Sequence, residues 1–96
     1  MADGPFFSSM AELAGGGGIG TTTHDFIFKF DPEWGVDQES NILATVAEVD
    51  KAGHVYIGDA QISVLSIAPN HNGCIVRIAS NWYIPLMIRV ALVIWP

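Results

Sequence analysis

The sequence predicts a small all-β protein, an antiparallel β-sandwich or barrel of about six strands with an extended N-terminal arm containing one short helix. Apolar and polar residues alternate in short segments, beginning with HDFIFKF at 24–30. Turn-forming residues separate these segments at near-regular intervals, and no long helical pattern occurs. We therefore divide the chain into an arm with a glycine tether, residues 1–23, and a β-sandwich domain, residues 24–96.

The arm carries the only helical pattern. In SSMAELA, Ser9 and Glu12 have the spacing of a capping box, which predicts a helix over residues 10–14. The glycine run at 15–18 would end this helix and form a flexible tether. So short a helix is unstable alone, so its apolar side chains require a surface to pack on.

The β-domain divides into strands separated by turn-forming residues. DPEWGVDQESN at 31–41 is typical of an acidic loop, and KAG at 51–53 of a tight turn. Gly58 predicts a bulge or bend between adjacent strands. Asn72-Gly73, in a hairpin loop, favours positive backbone φ. The predicted strands cover residues 24–30, 42–50, 54–59, 60–67, 74–80 and 84–95.

The composition favours association with other chains. A chain of 96 residues buries only roughly 60–65% of its unfolded surface, which leaves a marginal core. Half of the residues are hydrophobic and 15% are charged, against about 25% charged in typical domains. We expect other subunits to cover part of this surface. The single cysteine, Cys74, excludes an internal disulfide framework and is expected in the core.

The charge is negative and unevenly distributed. The net charge is −6; residues 1–50 hold nine acidic residues and one basic residue, and no acid follows Asp59. This asymmetry suits head-to-tail association, in which the acidic half of one copy meets the other half of the next. Only four residues are Lys or Arg, so the clustered basic footprint of a nucleic-acid-binding protein is not expected.

The titratable residues do not match a catalytic or metal-binding pattern. The acidic loop at 31–39 lacks the spacing of an EF-hand, and the histidines lack the partner spacing of a zinc site. Cys74 follows a hairpin, with no helix N-terminus to lower its pKa. We predict no enzymatic activity, no metal and no cofactor.

The aromatic segment SNWY leaves several interpretations open. Asn81, Trp82 and Tyr83 connect two predicted strands, where exposed aromatic rings and an amide are suited to stacking on a sugar ring and bonding to it. Burial in the core and burial in a subunit interface account for the same residues. These three residues are our candidates for a ligand-binding site in a lectin-like module.

One stretch resembles a known family. IGDAQISVLSI followed by VRIAS, about residues 55–80, resembles the carbon storage regulators, small β-proteins that bind RNA as strand-swapped dimers. The alignment needs a one-residue deletion after Gly58-Asp59 and an insertion at PNHNG. Where the family carries RNA-binding arginines, this chain has TVAEVDKAGHVY with two acids, and Arg89 falls near the family's second basic site. The resemblance implies RNA binding as an alternative function.

The chain ends in an unusually apolar strand. IPLMIRVALVIWP is shorter than the roughly 20 residues of a spanning helix, so no membrane span is predicted. As a strand it has one apolar face for the core and a second, with Met87, Arg89, Val93 and Trp95, that is apolar apart from Arg89. We expect another chain, or the N-terminal arm, to cover the second face, and a carboxylate to pair with Arg89.

Together these features predict a structural subunit of a larger assembly. Its expected partners are copies of itself or other structural proteins, and the expected setting is a viral or phage particle, as a capsid-decorating, minor capsid or tail-associated protein. The predicted location is the virion or otherwise the cytoplasm, since no secretory signal is seen. The predicted assembly interface consists of Phe6, Phe7, Met10, Leu13, Met87, Arg89, Val93 and Trp95.

Overall fold

Two three-stranded antiparallel sheets pack face to face in the computed structural model, which describes residues 5–13, 22–58, 60–82 and 84–95. The strands are β1 (Phe6–Leu13), β2 (Thr22–Lys29), β3 (Asn41–Glu48), β4 (Ile62–Asn70), β5 (Gly73–Ser80) and β6 (Leu86–Trp95). Sheet A has the order β1-β6-β3 and sheet B the order β2-β5-β4. The predicted all-β class is confirmed, and of the two predicted arrangements the described strands adopt the sandwich.

The core lies between the central strands of the two sheets. Alternate residues of β6, among them Ile88 and Leu92, are completely buried, as are Val76 and Ile78 of β5. These residues belong to one hydrophobic cluster that both sheets share. A strand directs every second side chain to the same face, so each central strand contributes one of its two faces to this core.

The predicted helix at residues 10–14 is wrong, because residues 6–13 form strand β1. β1 pairs along the whole of its length with β6, from Phe6 opposite Val93 to Leu13 opposite Leu86. Leu13 is 1% exposed, and the ring of Phe7 contacts that of Phe28 across the sandwich at 5.5 Å. A one-turn helix would offer little against its nucleation cost, whereas β6 offers a full hydrogen-bonding edge. The glycine run at 15–18 lies outside the described residues.

The predicted strand at 54–59 is also wrong. Beyond β3 the chain turns back, with the Asp50 carboxylate accepting hydrogen bonds from the backbone N–H groups of Ala52 and His54, both at 2.9 Å. Among the described residues of this segment, a single bridge forms, between Val49 and Val55. The next residues are exposed, and Ile57 is entirely so. A segment with no buried face gains little from forming a strand.

The remaining predicted elements are confirmed, with shifted details. The β4–β5 hairpin turns at His71-Asn72, and Asn72 has the expected positive φ, 61°. The bulge lies between Val64 and Ser66 of β4, not at Gly58. The acidic loop contains a 3₁₀ turn, Pro32–Trp34, capped by the Asp31 carboxylate. No helix in the described part of the chain is long and apolar enough to cross a membrane.

Candidate functional site

The outer face of sheet A is a largely apolar surface of the described chain. The register of β1, β6 and β3 sets its side chains in cross-strand rows, and the row formed by Phe6, Val93 and Leu43 is fully apolar. Phe6 is 65% exposed and Leu43 57%. The outer face consists of Phe6, Ser8, Met10, Glu12, Asn41, Leu43, Thr45, Ala47, Met87, Arg89, Ala91, Val93 and Trp95.

The structure brings together most of the predicted interface residues. The outer face holds Phe6, Met10, Met87, Arg89, Val93 and Trp95. Phe7 and Leu13 alternate with them along β1 and point into the core instead. The assignment of those two to an assembly surface depended on the helix that does not form. In the strand they stabilise the domain itself.

One end of the outer face is covered by the chain's own turn. The guanidinium Nη2 of Arg89 donates a hydrogen bond to the carbonyl oxygen of Gly53 at 2.8 Å. A Cβ at Gly53 would lie 3.4 Å from the sulfur of Met10, so the turn also reaches β1. Among the described residues Arg89 has this carbonyl as its partner rather than the expected carboxylate. The other end, around Phe6 and Leu43, stays open.

The outer face of sheet B is more polar. Arg77 of β5 donates two hydrogen bonds to the Asp25 carboxylate of β2, at 2.8 and 3.0 Å. These bonds hold the pKa of Asp25 below its usual value and raise that of Arg77. Lys29, Ser63 and Ser66 share this face. A single apolar row, formed by Ile27, Ile75 and Ala68, also crosses this face, so the two outer faces differ in how many of their residues are apolar.

A cleft of about 520 Å³ lies beside the outer face. The hydroxyl of Tyr56 donates a very short hydrogen bond to the Glu48 carboxylate, which raises the pKa of Tyr56. Trp82, one of the three candidate ligand-binding residues, lines this cleft, but Asn81 is bonded to Gln61 elsewhere, and Tyr83 lies outside the described residues. The lining residues are Glu48, Val49, Asp50, Lys51, Tyr56, Ile57, Gly58, Trp82, Ile84, Pro85, Leu86 and Met87.

Cys74 lies in the core, as predicted, and is fully buried. Burial raises its pKa to about 11, so the group is a neutral thiol at physiological pH and a poor nucleophile. Within the described ranges, no three His, Cys, Asp or Glu side chains converge as metal ligands. The Nε2 atom of His24 is buried without a hydrogen-bond partner among those same residues.

Sequence reasoning missed the contribution of β3 to the outer face. Leu43, Thr45 and Ala47 alternate with inward-facing Ile42, Ala44 and Val46, so the period-two pattern contained the signal. The contact between Gly53 and Arg89 left no such signal, because it joins distant segments. Comparison of the chain with protein-family models, curated proteins and solved structures gave no match.

Proposed function

We propose that the protein is a structural subunit that self-associates through the outer face of sheet A. The observation that carries this proposal is the open apolar row of Phe6, Val93 and Leu43. Antiparallel sheets that face water on one side usually alternate apolar and polar residues, and here the exposed positions of β6 are apolar apart from Arg89. Depletion of charge at the centre of a surface is typical of protein interfaces.

The occupant that fits this face is a second copy of the same chain. The row of Ser8, Ala91 and Thr45 has small side chains, which allow two sheets to approach to about 10 Å. The larger side chains on either side then interdigitate. A flat sheet face can also pack against the same face of a second copy, and a two-fold contact requires this self-complementarity.

The size of the face sets the strength of the contact. Three strands of about eight residues present roughly 400 Å² per copy, about half of what a standard interface contributes. A single contact of this size is weak, and the charge of −6 on each copy opposes it. When many copies are held in one array, their number compensates for the weakness of each contact, because every additional contact is made at high effective concentration. The array we propose is a viral or phage particle, with this chain as a decorating, minor capsid or tail-associated subunit.

Replacing Leu43 by lysine should weaken self-association about 30-fold. The substitution removes roughly 1 kcal/mol of apolar burial from each of two copies and adds a cation to a desolvated face. Sedimentation velocity from 1 to 100 μM, chosen as order-of-magnitude limits around a weak contact, measures the change. Leu65→Lys is the matched control, because Leu65 has nearly the same exposure, 53%, and lies in sheet B.

Two results would contradict the outer-face contact. Wild-type protein that stays monomeric over this concentration range would remove the proposed function. Equal effects of Leu43→Lys and Leu65→Lys would show association through some other surface. Thermal melts of both variants separate weakened association from lost folding.

A second candidate function, a binding module, has support from the cleft. Trp82 and Tyr56 combine aromatic rings with the Glu48 carboxylate and the Lys51 ammonium, and sugars are bound by such combinations of apolar surface and hydrogen-bonding groups. RNA binding has less support. Arg77 is engaged by Asp25 and Arg89 by Gly53, so neither belongs to a free basic cluster.

If the cleft binds saccharides, Trp82→Ala should reduce affinity at least tenfold. The lost ring would remove stacking worth about 1.4 kcal/mol or more. A glycan array screened with wild type, Trp82→Ala and the control Trp34→Phe checks this, since Trp34 packs on Phe30 away from the cleft. An array without hits, or hits that survive Trp82→Ala, would dispose of this candidate.

A further inference from the structure

Among the described residues, none pairs with the backbone edge of strand β2 that faces away from β5. Within sheet B, β2 pairs with β5, from Thr22 opposite Ser80 to Lys29 opposite Gly73, without a shift in register. The N–H of Phe30 donates to Asn72 on the β5 side at 2.8 Å. Because backbone direction alternates along a strand, the N–H and C=O groups of Asp25, Ile27 and Lys29 point to the opposite, open side.

The edges of β4 and β3 carry features that discourage pairing. Strand β4 contains the bulge at Val64/Ser66 and Pro69, two devices that natural proteins use to protect an edge. The end of β3 is occupied by the returning segment, through the hydrogen bond from the Tyr56 N–H to the Glu48 carbonyl. Strand β2 has no proline and no bulge.

The side chains of β2 are complementary to a second β2 strand. In an antiparallel pair centred on Ile27, Asp25 of each copy lies opposite Lys29 of the other, and the two Ile27 side chains face each other. Ile27 is 69% exposed on this edge strand, and Phe26 and Phe28 exchange places on the inner face. Opposite charges placed across strands stabilise pairing, whereas like charges oppose it. Strand β1 is equally regular but has no such charge pair.

We propose that β2 pairs with β2 of a second copy, joining two B sheets into one continuous six-stranded sheet. The two-fold centre at Ile27 is a position where both backbone groups point outward, so the two Ile27 residues exchange hydrogen bonds directly. Asp25 then lies between Arg77 of its own chain, at 2.8 Å, and Lys29 of the other.

This edge contact is separate from the outer-face contact of the proposed function. Each is two-fold, and each uses a different part of the chain. A protein with two independent two-fold contacts does not stop at a dimer, because every dimer still exposes the other contact at both ends. Copies would therefore alternate face and edge contacts in an extended array.

Lys29→Glu should weaken the edge contact at least tenfold. The introduced carboxylates lie opposite Asp25 twice in each pair, so attraction becomes repulsion at both ends of the strand. Lys51→Glu is the matched control, with the same change of charge at an exposed site away from β2. In sedimentation velocity, Lys29→Glu should shift wild-type oligomers to outer-face dimers, and the Lys29→Glu/Leu43→Lys double variant should be monomeric.

A mixing experiment tests the register itself. Asp25→Lys and Lys29→Glu should each lose the edge contact alone and regain it when mixed, because the two altered strands carry opposite charges at every facing position. Both variants also carry Leu43→Lys, because outer-face dimers of the two would have the same mixed mass, and native mass spectrometry then identifies the mixed edge pair. Ile27→Lys, which sets two cations at the centre, should also prevent pairing.

The outcomes separate the two proposals. If Lys29→Glu and Ile27→Lys both match Lys51→Glu, the edge contact is overturned whatever the outer face does. If Leu43→Lys alone has no effect while Lys29→Glu dissociates the oligomer, the edge contact stands and the outer-face function is overturned. Recovery of the mixed pair supports antiparallel β2 pairing, and a mixture that stays unpaired counts against this register.

Discussion

Deletion of residues 1–13 should leave a chain without a cooperative folding transition at 25 °C. The deletion removes β1, together with the buried Leu13 and the Phe7 ring that packs on Phe28. Loss of a buried leucine costs about 2–5 kcal/mol and of a phenylalanine about 3–5, while a whole domain is stable by about 5–15 kcal/mol. The central strand β6 would also become an exposed edge. Urea unfolding followed by circular dichroism measures the transition.

Deletion of residues 1–4 is the control, since β1 and its pairing begin after them. Point variants test the same structure without a truncation. Leu13→Ala should lower the free energy of unfolding by about 3 kcal/mol, whereas Glu12→Ala should change it by under about 0.5 kcal/mol, as at exposed sites. A cooperative transition in the 1–13 deletion, or a larger effect at Glu12 than at Leu13, would mean that β1 is not part of the folded domain.

Alternation in the sequence predicted strands such as β2, in which one face of the segment is buried. Phe26 and Phe28 of β2 pack on the core while Ile27 faces outward, and the side chains of β6 alternate in burial in the same way, although its outward face is also apolar apart from Arg89. In each case the pattern reports directly on the burial of every second side chain. This is why the all-β class and most strands were predictable without knowledge of their partners.

The helix at 10–14 and the strand at 54–59 were predicted wrongly for opposite reasons. Ser9 and Glu12 fit a capping box, and the sequence FFSSMAEL does not alternate apolar and polar residues, so only pairing with the distant β6 makes this segment a strand. Residues 54–59 have β-forming side chains, but Val55 and Tyr56 remain exposed. Local propensity is weak evidence when tertiary contacts provide or withhold a partner edge.

The candidate site was also predictable where it lies within one strand, and not where it joins distant segments. Alternation along β6 placed Met87 and Val93 on an apolar outer face, and the structure adds Leu43 from β3. The contact of Gly53 with Arg89 and the cleft at Trp82 join segments far apart in the chain. No periodic pattern in the sequence encodes such contacts, so only the three-dimensional structure shows them.

The position of β2 depends on one close approach to β5. At Gly73, opposite Lys29, a Cβ would stand 2.3 Å from the carbonyl oxygen of Phe28 and 3.1 Å from the side-chain oxygen of Asn70. The nearest of these atoms belongs to the backbone, so it cannot rotate away as a side chain would. The strands come this close only because residue 73 is glycine.

Gly73→Ala should therefore lower the free energy of unfolding by about 3 kcal/mol, at the upper end of typical overpacking effects. For a domain of this size that is a fall in Tm of roughly 12 °C or more, measurable by differential scanning calorimetry. It should also weaken the proposed β2 edge contact, because the clash displaces the strand that carries Asp25 and Lys29.

Gly35→Ala separates this clash from the general effect of replacing a glycine. Gly35 has a φ of 70° and no atom within 4 Å of the added Cβ, so only backbone strain of about 1 kcal/mol is expected. The predicted order is thus a larger loss at Gly73 than at Gly35. The reverse order would mean that β2 and β5 tolerate separation at the hairpin, and that the edge of β2 is held in place by contacts other than this close approach.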